Sequence, residues 1–153
     1  MNLLKTAKKQ KSLKTLMKAM KCLDLDTVLS GDATFTLFAP ADVAFARLPA
    51  STIEALFREK SLLNDVLTYH MVQGKVILAD LKKSVSVQSV QGELITITKS
   101  ANGATINGIE FLQKDIACTN GIIHVIDAVL FPEELQSADA DHIKINFQKE
   151  GKA

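Results

Sequence analysis

Two histidines, His70 and His124, are the side chains best suited to proton transfer near neutral pH, and both stand in apolar company. His70 follows Leu63, Val66 and Leu67 at helical spacing. His124 alternates with Ile122 and Ile126, while Asp127 shares the opposite face with Val125 and Val129. A hydrolase would need one of these rings as base, a Ser or Cys nucleophile, and a carboxylate to orient the ring. Spacing along the chain leaves that assembly open, but no G-x-S-x-G, H-E-x-x-H or phosphate-binding glycine loop accompanies it. Catalysis is therefore the weaker class. A histidine on an apolar face is more often a hydrogen-bonded core group.

Cys22 and Cys118 are the only cysteines and form no C-x-x-C pair, which removes a zinc ribbon and a dithiol redox motif. One bridge between them stays open beside the alternative of two buried reduced thiols. No metal and no cofactor are expected.

The elements that must position these residues follow from pattern. With 153 residues, 47% hydrophobic and 23% charged, the chain has the size of one globular domain with a real core. Its 18 basic and 17 acidic residues leave a net charge of +1, so the whole-chain balance gives no reason to expect nucleic acid. The first 21 residues are rich in lysine, interleaved with Leu13, Leu16, Met17 and Met20 at helical spacing. That reads as a solvated lysine face on a packed helix, with a membrane-surface helix as the alternative, and not as a secretory signal. No run is long enough to span a bilayer.

Ser12 is placed to cap the first helix, Asp24 or Asp26 a short second one, and Gly31 to end it in the left-handed region. Thr34 to Phe38 alternates Phe35 and Leu37 against Thr34 and Thr36, a strand with one buried face. Pro40 ends it and Asp42 can cap a single turn that presents Val43 and Phe45, with Leu48 before Pro49. Ser51 and Glu54 have the spacing of a capping box, and a further helix runs from about Leu62 past Tyr69. From Val72 onward the period changes to strands separated by Gln91-Gly92, Asn102-Gly103, Asn107-Gly108 and Asn120-Gly121. After Pro132 the chain is polar, then offers "HIKINF", with Ile143, Ile145 and Phe147 on one side. Residues 133–153 are expected as an extension, either one added strand or a flexible tail.

Three stretches, "FTLFAPADVAF", "LLNDVLTYHMVQGKV" and "NGIIHVIDAVLF", resemble in order and separation the two signature blocks and the Tyr-His segment of the fasciclin (FAS1) domain family. The resemblance places the domain at residues 1–132. It implies an α+β fold, a wedge-like and mostly antiparallel β-sandwich with a layer of short helices from the N-terminal half. The signature blocks contribute Phe38, Pro40, Asp42, Phe45, His124 and Asp127 as framework.

The resemblance also implies two partner-binding candidates, Tyr69-His70 and Asp115-Ile116, which match pairs that animal members are thought to use in integrin-dependent adhesion. Beside this stands a structural role for each: His70 hydrogen-bonded inside with Tyr69 packed, and Asp115 capping a turn while Ile116 enters the core. This chain departs from the family at Ala41, where Thr or Ser is usual, and at Gln73, where many relatives have proline.

The function so implied is a noncatalytic adhesion or binding module for a protein or carbohydrate at a cell surface or matrix, outside the cytoplasm. The chain as written shows no signal peptide, so a cytoplasmic place also stays open. The alternative is a small-molecule or lipid binder using a cleft between helices and sheet, or a hydrolase. Single-domain length and the lack of an N-x-[ST] sequon point to a microbial relative.

Overall fold

The computed structural model describes residues 2–101 and 103–132. The first half builds α1 (Leu3–Lys9), α2 (Lys14–Cys22), α3 (Leu25–Leu29), β1 (Phe35–Pro40), α4 (Asp42–Ala46), α5 (Ala50–Arg58) and α6 (Lys60–Tyr69). The second half is β2 (Met71–Gln73), β3 (Val85–Gln88), β4 (Leu94–Ser100), β5 (Gly103–Ile106), β6 (Ile109–Cys118) and β7 (Gly121–Ile126). The "HIKINF" segment lies outside the described residues.

The strands run in the order β2-β1-β7-β6-β5-β4-β3. Every neighbouring pair is antiparallel except β1 and β7, which pair in parallel from Phe35 opposite Gly121 to Pro40 opposite Ile126. The sheet curls until its two ends meet, the N–H of Val90 donating to the Met71 carbonyl at 2.7 Å. This is an α+β fold with a mixed, nearly closed sheet.

Both faces of the central strands are covered. Phe35, Leu37 and Ala39 of β1, with Ile123 and Val125 of β7, pack against Leu13, Leu16, Met20, Leu63 and Leu67 from the helices. Phe38 and Ile126 face the other way, into a second core with Ile95, Ile97, Ile106 and Leu130. The expectation of one buried face on β1 is corrected accordingly: all six of its residues are buried. Thr36 tolerates burial because its hydroxyl donates to the Gly74 carbonyl at 2.7 Å and accepts the Val76 N–H at 2.8 Å.

Several helix ends differ from the simplest sequence expectation. The helix expected from Ser12 is α2, which begins at Lys14 with no side-chain cap bond, and a separate helix, α1, precedes it, capped by Asn2, whose side chain accepts the Lys5 N–H. No side-chain cap bond forms at Pro49, the residue before α5, so the Ser51–Glu54 spacing falls inside a helix that has already begun. Gly31 does not take a positive φ; the left-handed residue is Asp24, at φ 57, which precedes α3. The Asn107-Gly108 turn does form as expected. With φ values of 48 and 84 it joins Ile106 and Ile109 in a two-residue hairpin of the mirror-image type that suits strand twist. Cys22 is exposed, Cys118 is half-buried and both are free thiols, so neither the bridge nor a buried pair is present.

Candidate functional site

Tyr69 is the last residue of α6 and His70 is its C-cap. Because Leu63, Val66 and Leu67 hold this helix face in the core, both rings are carried inside. Tyr69 is 4% exposed. Its hydroxyl donates to the Leu94 carbonyl at 3.0 Å and accepts from the Asn107 side-chain amide at 2.9 Å. His70 is fully buried; Nδ1–H donates to the Val66 carbonyl at 2.7 Å, and Nε2 accepts the Leu130 N–H at 2.9 Å. Burial pushes its pKa down to about 4, opposed only in part by the bond to Val66, which favours the charged ring. With both nitrogens spent on main chain, His70 is no free base. Nor can a partner reach the Tyr69 or His70 side chain in this conformation.

The second pair sits at a break in β6. Pairing with β7 shifts register between Phe111 and Ile116, and Asp115 takes φ 55, a bulge conformation that Asp tolerates better than most residues. That turn aims its N–H at Nδ1 of His124, at 2.9 Å. Its carboxylate accepts the N–H groups of Leu78 at 2.7 Å and Ala79 at 3.1 Å, capping the 3-10 turn Leu78–Asp80. The His124 Nε2–H donates to the Val76 carbonyl at 2.7 Å, and its ring stacks on Phe38 at 5.3 Å. Burial lowers the His124 pKa, against the opposing pull of the Val76 carbonyl and the Asp115 charge. Asp115 and Ile116 are half-buried, and Lys114 is exposed.

Asp42 does not cap its own helix. Ala41 is the N-cap of α4 and offers no side-chain bond, while the Asp42 carboxylate reaches across to accept the Thr15 N–H of α2 at 2.8 Å. Phe45 is buried beside it. Asp127 forms an ion pair with Arg47 at 3.1 Å, reinforced by Arg47 donating to the Asp127 carbonyl at 2.9 Å.

Sequence reasoning missed two asparagines. Asn120 accepts the Leu3 N–H at 2.7 Å and donates to the Leu29 carbonyl at 2.8 Å, tying α1 and α3 to the start of β7. Asn107 supplies the partner of Tyr69. Both precede glycine, a signal that reports the turn and says nothing of the long-range bond.

His70 and His124 have separate partners and do not form one cluster with a nucleophile. The seam between helices and sheet, proposed for a cleft, is filled by Leu16, Met20, Leu37, Leu63, Leu67 and Ile123, each at most 1% exposed. Open space lies on the surface. One groove, of about 360 Å³, lies between α2, α4 and α5; another, of about 520 Å³, lies between β2 and the β3–β4 hairpin. Among the described residues no three His, Cys, Asp or Glu side chains gather as metal ligands, and no helix is long and apolar enough to cross a membrane.

The Fasciclin domain model matches residues 11–132. The chain belongs to the Fasciclin domain family. Protein sll1483 of Synechocystis is 38% identical over 134 residues, covering 86% of this chain and 74% of that protein. Transforming growth factor-beta-induced protein ig-h3 of the pig is 31% identical over 127 residues, 82% of this chain but only 19% of that protein. Among solved structures, a FAS1 domain pair from the insect cell adhesion molecule Fasciclin I superposes with a TM-score of 0.75 at 24% identity, covering 87% of this chain and 51% of that one. That likeness establishes the FAS1 fold. A microbial origin fits the cyanobacterial relatives.

Proposed function

We propose that this fasciclin domain is a noncatalytic adhesion module that recognises a protein or carbohydrate partner outside the cytoplasm. One observation carries the choice over a hydrolase: each buried histidine has both ring nitrogens bonded to main chain and is held neutral, so neither is available as a base. The insect relative described as a cell adhesion molecule supports the class.

Within that function, the Tyr69-His70 and Asp115-Ile116 pairs shape the surface from beneath. Tyr69 holds the Leu94 carbonyl, and the Leu94 side chain stands 61% exposed, with Val90 of the same hairpin at 42%. An apolar pair so presented, on a backbone pinned from inside, suits the centre of a contact patch. At the other site the exposed Leu112 and Lys114 flank the Asp115 bulge.

The test uses beads coated with the folded protein and cells of the organism that makes it. Attachment above that of beads coated with heat-denatured protein is the expected result. No attachment, together with turnover of a chromogenic ester that is lost in His124→Gln, would replace adhesion with hydrolysis.

A further inference from the structure

Charge in this chain is segregated. The first 23 residues hold seven of the 18 basic residues and none of the 17 acidic ones. All seven lysines are exposed. On α2, Lys14, Lys18 and Lys21 recur at i, i+4 and i+7 and form one stripe, rising by about 6 and then about 4.5 Å along the axis. None of the three pairs with a carboxylate among the described residues. Like charges at this spacing repel, and bound anions would relieve that repulsion.

The stripe borders the groove between α2, α4 and α5. Lys18 lines it together with Phe57 and Ile53, both half-buried, and with Asp42, whose carboxylate is already engaged to the Thr15 N–H. A cation next to an open aromatic floor calls for a ligand with a negative group and an apolar face in the same unit. We propose that this face binds a linear acidic polysaccharide, its successive carboxylates meeting Lys14, Lys18 and Lys21 while one sugar ring lays its C–H face on Phe57 in the groove. This rests on the adhesion function proposed above and adds to the Leu94 patch a second, separate contact whose ligand chemistry it names.

Other polyanions fit less well. Among the large apolar residues that share α1, α2 and their junction with the lysines, Leu3, Leu13, Leu16 and Met20 are at 0% exposure and Leu4 and Met17 are half-buried against the core, so there is little to insert into a bilayer. The net charge of +1 gives the chain little overall attraction for the dense phosphates of a nucleic acid. A uronic-acid chain, with one carboxylate per ring, matches three spaced lysines.

The experiment measures binding of the full chain to immobilised polygalacturonate, with neutral dextran, duplex DNA and phosphatidylserine vesicles alongside. Polygalacturonate is expected to bind and dextran not. The triple variant Lys14→Gln/Lys18→Gln/Lys21→Gln should weaken binding by roughly tenfold or more and flatten its dependence on log salt by about 2–3. Lys82→Gln/Lys83→Gln should match the unaltered protein, and Phe57→Leu should weaken polygalacturonate at unchanged fold. Undiminished binding by the triple variant, no binding at all, or equal binding to DNA or vesicles would overturn the proposal. Bead attachment to cells keeps the two ideas separable: attachment that persists without polygalacturonate binding sinks only the polysaccharide, whereas its absence removes the adhesion function itself.

Discussion

Nε2 of His70 accepts the main-chain N–H of Leu130 at 2.9 Å, joining the end of α6 to the segment that follows β7, inside the core. That bond requires the Nε2 lone pair and so a neutral ring. Protonation would set the new Nε2–H against the Leu130 N–H, donor against donor, while Nδ1–H still met the Val66 carbonyl.

Stability should therefore fall on mild acidification. The folded-state pKa of His70, about 4, lies below its ordinary value of 6.5, so the unfolded chain binds the extra proton first. The contribution is complete above about pH 6.5 and is lost as pH falls toward 4, amounting to roughly 3 kcal/mol. His124 is shifted in the same direction. Urea unfolding from pH 7.5 to 4.5 should give a steadily falling midpoint, and a flat profile would refute the neutral-ring assignment.

Asp115 should behave as a framework residue. Asp115→Ala removes the acceptor for Leu78 and Ala79 and puts a less tolerant residue at φ 55, costing about 2 kcal/mol. Asp115→Asn keeps one acceptor and should cost less. Amide hydrogen exchange should speed up at Leu78 and Ala79 in the alanine variant; unchanged protection there would contradict the capping role.

Ala41→Thr should stabilise. Ala41 occupies the N-cap of α4 in extended geometry without a side-chain bond, and Asp42 is committed to Thr15, so a hydroxyl there meets an unserved helix start. A gain of about 1 kcal/mol is expected, read as a rise in Tm of several degrees. A lowered Tm would mean the buried site cannot take the extra atoms.

Gly121→Ala should be severe. A Cβ at this position would land on the Phe35 carbonyl oxygen, because the parallel β1–β7 pairing brings the two main chains together there. The cost is about 3 kcal/mol, measured by urea unfolding; a near-neutral variant would show that β1 can slide.

The two signature blocks were legible in the sequence because their strands are short, apolar and bounded by turn residues. They are the parallel pair at the centre of the sheet. The inward turn of His70 was also legible, from its spacing after Leu63 and Val66. What local pattern did not carry was anything set by a distant partner. Thr36 reads as outward until Gly74 and Val76 close over it, and Asp42 reads as a cap for its own helix until α2 arrives. The Asp115 bulge gives no periodic signal, since its conformation is held by His124 and the Leu78 turn. Asp42 caps α2 because tertiary packing puts the Thr15 N–H in reach, whereas Asn2 is a local cap on Lys5 that pattern alone could have shown.

Tyr69 holds the surface from inside and Leu94 presents it, a division of roles that a comparison of Tyr69→Phe with Leu94→Ser separates. Each is scored for Tm and for attachment of coated beads to cells, well below either Tm. Tyr69→Phe should lower Tm and leave attachment nearly intact, while Leu94→Ser should leave Tm nearly unchanged and cut attachment. If attachment instead follows Tyr69 and ignores Leu94, the Tyr-His pair is itself the contact and the domain must open to use it.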